Sequence, residues 1–239
     1  FFSFVKRSPT NNFGKFTIYV GLINFATAFA SPFFAVYMLK DLHYSYVWHT
    51  IVVLSSALFT IWSLPMWGKI GDKYGNRELF KIGAIIIPFA PVFWIFSGNP
   101  LFLILTAQLT AGFGWGAFNL ATSNFIYDTV TPGRRAICVA YFNMVNGVGI
   151  FFGAILGGFF AQYVHLTWIN TFLLIFLISA VARALISLIV LPMIKEVRKV
   201  GREKNLHIFT YLHLIMPKPF YWMIRGVRDI SHLHFNSKK

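Results

Sequence analysis

Six long apolar runs, each closed by a short polar turn, set the pattern of this chain. A helix needs roughly twenty mostly apolar residues to cross about 30 Å of hydrocarbon. Runs of that length fall near Thr17 to Leu39, Trp48 to Trp67, Phe80 to Phe96, Leu101 to Tyr127, Arg135 to Tyr163 and Trp168 to Leu191. The pattern predicts an all-α, polytopic membrane protein: a linker over residues 1–16, a six-helix transmembrane bundle over 17–192, and a basic tail over 193–239. The third run is the shortest, and its Pro88 and Pro91 interrupt the hydrogen-bond ladder, which predicts a kinked or irregular outer end.

With 57% hydrophobic and 12% charged residues, the chain cannot keep a soluble surface. A net charge of +14 would suit nucleic acid, but the Lys and Arg residues gather at helix ends and in the tail, not on a stripe interleaved with aromatics, so no nucleic-acid partner is expected. Basic loops stay cytoplasmic. Lys6, Arg7 and Lys15 precede the first run, Lys69, Lys73, Arg77 and Lys81 follow the second, and Arg134 and Arg135 follow the fourth. Both termini are therefore expected on the cytoplasmic side of a cell membrane, the inner membrane if the source is bacterial or archaeal. The tail, with Trp222, Tyr221 and many cations, suits an anionic leaflet surface. His232 and His234 within it are weak evidence for a metal. The single Cys138 rules out an internal disulfide and a cysteine-based metal site.

Between the second and third runs lies Gly68-Lys69-Ile70-Gly71-Asp72-Lys73-Tyr74-Gly75-Asn76-Arg77. So much Gly and charge between apolar runs reads as a tight aqueous loop. Asp72 can accept hydrogen bonds from a neighbouring helix N-terminus, and Arg77 can pair with Asp128 at the inner end of the fourth run. The spacing Gly68-x-x-x-Asp72-x-x-Gly75-x-Arg77 resembles the loop signature of the major facilitator superfamily. Members usually carry two adjacent basic residues where this chain has Asn76 and Arg77, a departure that spares the Asp and both glycines. Thr131-Pro132-Gly133-Arg134-Arg135 is similar to the family's Pro-x-x-Arg turn entering the fifth helix. The resemblance implies one six-helix half of a transporter, in which Gly68, Asp72, Gly75 and Arg77, with Asp128 and Arg134, form a conformational latch. The start without methionine and the tail without a further span suggest the C-terminal half.

Polar residues inside a span are costly unless they face protein or water. Gln108, Trp115, Asn119 and Thr122 fall on one stripe of the fourth helix, Asn24, Thr27 and Ser31 on one of the first, and Asn143 and Asn146 are near neighbours on the fifth. The resemblance puts the first and fourth helices along a central cavity, making Asn24, Gln108, Trp115, Asn119, Asn143 and Asn146 candidate substrate contacts. Interhelical hydrogen bonds are the alternative for each. Gly149, Gly153 and Gly157 form a flat packing face on the fifth helix, which by resemblance would meet the other half and permit sliding. Arg183 lies well inside the sixth run. The resemblance puts that helix at the periphery, where snorkelling or pairing with the backbone is expected ahead of a cavity role, with Ser179 and Ser187 on the same face to solvate it.

No Asp, Glu or His sits mid-span, and the chain has no phosphate-binding Gly-Lys-Ser/Thr loop, metal-ligand cluster or nucleophile triad. Neither an enzyme nor a cofactor is expected. The reading is a secondary transporter that moves a small-molecule substrate across the lipid bilayer by alternating access, completed by a missing N-terminal six-helix half or a second copy. The alternatives are a non-transporting scaffold or receptor bundle, and a homodimerising half-transporter.

Overall fold

The computed structural model describes residues 11–164 and 169–197, and the regular structure among them is helical. Six helices are long and apolar enough to cross a membrane: α1 (Asn12–Asp41), α2 (Tyr46–Tyr74), α3 (Asn76–Phe96), α4 (Pro100–Thr129), α5 (Pro132–Tyr163) and α6 (Thr171–Met193). They make this a multi-pass membrane protein. Lys6, Arg7 and nearly all of the basic tail, with His232 and His234, lie outside the described residues.

Several helices begin where a polar side chain satisfies the first N–H groups, which have no intrahelical partner. Asn11 Oδ1 accepts from the Phe13 N–H at 3.3 Å, Asn99 Oδ1 from the Leu101 N–H at 2.9 Å, and Asn170 Oδ1 from the Phe172 N–H at 2.8 Å. Such caps carry α1 outward beyond its apolar run, to a start at Asn12. Internal breaks follow the prolines. α1 is interrupted at Phe29–Ala30 and resumes at Ser31 with Pro32 in its first turn. α3 breaks at Ile87–Pro88, the irregularity that Pro88 and Pro91 predict.

The largest departure from the sequence reading concerns the signature. α2 continues to Tyr74, so Gly68, Gly71 and Asp72 are helical and the expected loop shrinks to one residue, Gly75, at φ 91°. A helix leaving the hydrocarbon can run on into water wherever its residues tolerate it, and Lys69, Ile70 and Lys73 do. Gly68 therefore makes no turn, and a Cβ there would meet nothing within 4 Å.

Two seams hold α1 at the centre of the bundle. Along the first, Gly149, Gly153 and Gly157 of α5 press on the backbone carbonyls of Gly21, Phe25 and Phe29 of α1. A Cβ built on Gly149 would stand 2.6 Å from the Gly21 oxygen, and those on Gly153 and Gly157 would strike the next two carbonyls. Both rows advance by four residues, so the helices run parallel along the contact. The flat face expected for packing is thus filled by α1 of the same half, and not by another half. In the second seam Ser179 Oγ of α6 donates to the Ala26 carbonyl at 2.5 Å, and Ser187 Oγ lies 3.3 Å from the Tyr19 hydroxyl. These contacts run in opposite order along the two chains, as antiparallel helices require.

Two aromatic clusters fill the space around α1. One joins Phe16 to Phe125, stacked at 4.5 Å between ring centres, with Phe80 and Phe118 edge-on nearby. The other stacks Phe34 on Phe176 at 4.0 Å, with Tyr37 and Trp94 against the same rings. Rings bury large apolar areas with few torsions to fix, so they order the bundle at little entropic cost.

The glycine seam gives a signed prediction. Gly153→Ala drives a methyl into the Phe25 carbonyl and is expected to lower stability by about 1–3 kcal/mol, as overpacking does. Gly147→Ala, whose Cβ meets nothing within 4 Å, is expected to leave stability unchanged or raise it through helix propensity. Thermal unfolding of the two purified variants beside the wild type checks both; equal midpoints would remove the seam from the account.

Candidate functional site

The site has two parts, a polar network where α2 meets α3 and a cavity inside the bundle. In the network Asn76, fully buried, donates from Nδ2 to Asp128 Oδ2 at 2.7 Å and accepts at Oδ1 from Asn124 Nδ2 at 3.2 Å. The Arg77 N–H donates to Glu196 Oε2 at 2.8 Å, placing a carboxylate at the N-terminus of α3, where the helix dipole favours one. Arg77 Nε donates to the Ile194 carbonyl at 3.0 Å. The expected Arg77–Asp128 pair is not formed. Arg77 is turned toward the segment after α6, and Asp128 is met by Asn76, because the helical course of α2 sets Asn76 at the first position of α3, facing α4.

Asn76, which reads in the sequence as the loss of a basic residue, is thus the hub of the contact. Its burial against α4 has no local sequence signature. Asp72 is exposed in the last turn of α2. The negative end of a helix disfavours a carboxylate there by about 0.3–1 kcal/mol, so stability of α2 does not account for it. Arg134 is exposed in the first, 3-10 turn of α5 and stands outside this network, while the adjacent Arg135 lies over the Tyr127 ring, 4.7 Å from its centre.

The cavity, about 240 Å³, lies between α1, α2, α3, α4 and α6. Its polar lining comes from Thr27, Ser31, Ser56, Gln108, Trp115 and Arg183, and Phe34 and Trp94 supply an aromatic wall. Arg183 is only 3% exposed, and its Nε has no hydrogen-bond partner. It does not snorkel. The face of α6 that carries it is packed against α1, and Ser179 and Ser187, expected to solvate it, are engaged by Ala26 and Tyr19. Desolvating a cation costs several kcal/mol even after relaxation. The four-residue spacing of Ser179, Arg183 and Ser187 on an otherwise apolar helix is the signal that could have placed it inside.

The remaining candidates separate. Gln108 and Trp115 share the cavity. Asn24 Nδ2 donates to Asn146 Oδ1 at 2.7 Å, and Asn146 Nδ2 donates to the Phe142 carbonyl at 2.8 Å, so these two amides join α1 to α5 beside the glycine row. Asn119 and Asn143 are exposed and away from the cavity lining. A larger groove, about 570 Å³, runs between α3 and α6. Apart from Arg77, Lys81 and Ser187 it is apolar, with Ile85, Phe89 and Leu188 more than half exposed, which suits lipid chains better than a solute.

Comparison with known proteins places these features. The family model of the Major Facilitator Superfamily matches residues 16–228. The chain is 32% identical over 115 residues to a lactose permease of Klebsiella pneumoniae, covering 46% of this chain and 87% of that sequence. It is 24% identical over 130 residues to the multidrug export protein EmrB of Haemophilus influenzae, covering 54% of this chain and 25% of that protein. It is 26% identical over 164 residues to the vacuolar basic amino acid transporter 1 of Saccharomyces cerevisiae, covering 63% of this chain and 27% of that protein. The last two matches therefore span about a quarter of the relatives' own lengths.

Asn76→Ala removes two hydrogen bonds and leaves the Asp128 carboxylate without its partner, and is expected to destabilise the protein by about 1–3 kcal/mol. Arg134→Ala, outside the network, is expected to change stability by less than about 0.5 kcal/mol. Denaturation midpoints of the two variants distinguish them.

Proposed function

This chain belongs to the Major Facilitator Superfamily, and we propose that it forms one six-helix half, the C-terminal one, of a secondary active transporter that moves a small solute by alternating access. The observation that carries the proposal is the family match across residues 16–228, a span that takes in all six helices except the first four residues of α1. A second half, an N-terminal six-helix unit or another copy, completes the transporter. The outer faces of α2 and α5 support this: Leu58, Ile61 and Trp62, and Phe151, Phe152 and Leu156, are exposed on the isolated bundle and can be covered by a second unit or by lipid.

In this reading the α2–α3 junction is the cytoplasmic latch, with Lys and Arg concentrated at that end of the bundle. Gly75 lets the chain reverse, Asp72, exposed on the last turn of α2, is the latch residue that engages the other half, and Asp128 and Arg77 tie the junction to α4 and to the segment after α6. Gln108 and Trp115 contact the solute, while Asn119, exposed further along α4, lies outside the cavity lining. Asn24 and Asn146 hold α1 against α5 beside it, and Asn143 faces outward from α5.

The names of the relatives suggest solutes as different as a disaccharide, basic amino acids and drugs. The test is flux into proteoliposomes of the full-length protein, with lactose, lysine and a cationic dye as probes. Gradient-dependent flux of at least one is expected. Asp72→Asn is expected to slow it about tenfold, since conformational coupling is typically worth about 1–3 kcal/mol, while membrane insertion is unchanged. Flux that ignores the imposed gradient, or that is untouched by Asp72→Asn, would overturn the latch and the alternating-access reading.

A further inference from the structure

We propose that the cavity between α1, α2, α3, α4 and α6 binds a small organic anion, its carboxylate on Arg183 and its apolar body against Phe34, Trp94 and Trp115. The role of such an anion as cargo rests on the transporter reading above; its binding does not.

A guanidinium stays protonated at any physiological pH and offers five N–H donors in a planar fork. Arg183 is 3% exposed, lines the cavity, and has no hydrogen-bond acceptor or ion-pair partner among the described residues. The described carboxylates cannot serve it. Asp41, Asp72, Glu78, Asp128 and Glu196 all lie at helix ends, and Asp41, Asp128 and Glu196 bind Asn170, Asn76 and the Arg77 N–H there, while Glu78 is bridged to Lys81. The neighbouring serines of α6 are held by α1. A desolvated cation lining a cavity calls for an anion from outside the chain, and a carboxylate matches the fork with two parallel hydrogen bonds.

The rest of the lining defines the anion further. The side chains of Ser31, Ser56 and Gln108 face the cavity and make no hydrogen bond to another described residue, so they can serve the carboxylate edge or a second polar group. The lining also carries Phe34, Trp94 and Trp115, which favours a flat or compact apolar body over a sugar or a phosphate. At about 240 Å³ the space is below the range of roughly 300–1,000 Å³ that holds drug-sized ligands, so the occupant is small.

The experiment titrates the full-length protein in detergent with benzoate and follows tryptophan emission, since Trp94 and Trp115 stand in the cavity wall. Benzamide, of the same shape without the charge, and chloride are titrated in parallel. A saturable response to benzoate is expected, about tenfold weaker for benzamide, with half-saturation raised about tenfold by Arg183→Gln and by less in Arg183→Lys. Equal response to benzoate and benzamide, unaltered affinity in Arg183→Gln, or displacement of benzoate by an equal concentration of chloride would overturn the assignment, the last in favour of an inorganic anion. If Arg183→Gln does not fold, Gln108→Leu carries the test: benzoate binding weakened about threefold supports the site, and unchanged binding removes it. Benzoate binding without gradient-driven flux would leave the site standing and remove the transport reading. Flux of other solutes without benzoate binding would do the reverse.

Discussion

The three glycines of α5 set the spacing of everything else in the bundle. In hydrocarbon there is no hydrophobic force to draw helices together, so close backbone approach, with the dispersion it allows, must do it. Gly149, Gly153 and Gly157 bring the α5 backbone onto the carbonyls of Gly21, Phe25 and Phe29. α1, fixed on that side, meets α6 through Ser179 and Ser187 and meets α3 and α4 through Phe16 and Tyr19. The cavity that holds Arg183 exists because these contacts hold α1 and α6 together on one side while α2 and α4 close the other.

Polar groups in this protein are sorted by what they can be bonded to. At the α2–α3 junction the carboxylates have partners, Asn76 for Asp128 and the Arg77 N–H for Glu196, and the chain of contacts links α3, α4 and the end of α6 into one unit. Between α1 and α5 the amides of Asn24 and Asn146 are matched to each other. Arg183 is buried with its Nε unmatched, and it differs from Arg135, whose Nε is also unmatched, in being almost wholly buried and in lining the cavity. A cation desolvated this deeply beside a cavity, with no acceptor among the described residues, is what the proposed anion would satisfy.

The six spans, their helical character and the family were legible in the sequence, because apolar length and a signature spacing are one-dimensional properties. α5 begins its α-helical part at Arg135 and ends at Tyr163, the limits its apolar run suggests. The irregularity of α3 was legible too, since Pro88 lacks an N–H wherever it sits. The glycine row was recognisable as a packing face, but its partner was not, because four-residue spacing tells which side of a helix is flat and nothing of what lies against it.

What only the tertiary structure decided is pairing. It turned Arg77 away from Asp128, made Asn76 the buried hub, kept Gly68 helical, and drew Arg183 inward to share a cavity with Gln108 and Trp115. Residues such as Asn76 and Asp128 stand 52 positions apart, and Asn24 and Asn146 stand 122 apart. The sequence by itself determined which segments cross the membrane and which residues a span would have to shelter, because solvation in hydrocarbon acts on each segment alone. Which groups then shelter one another depends on how helices rotate and cross, and that is set by close packing among side chains distant in the chain.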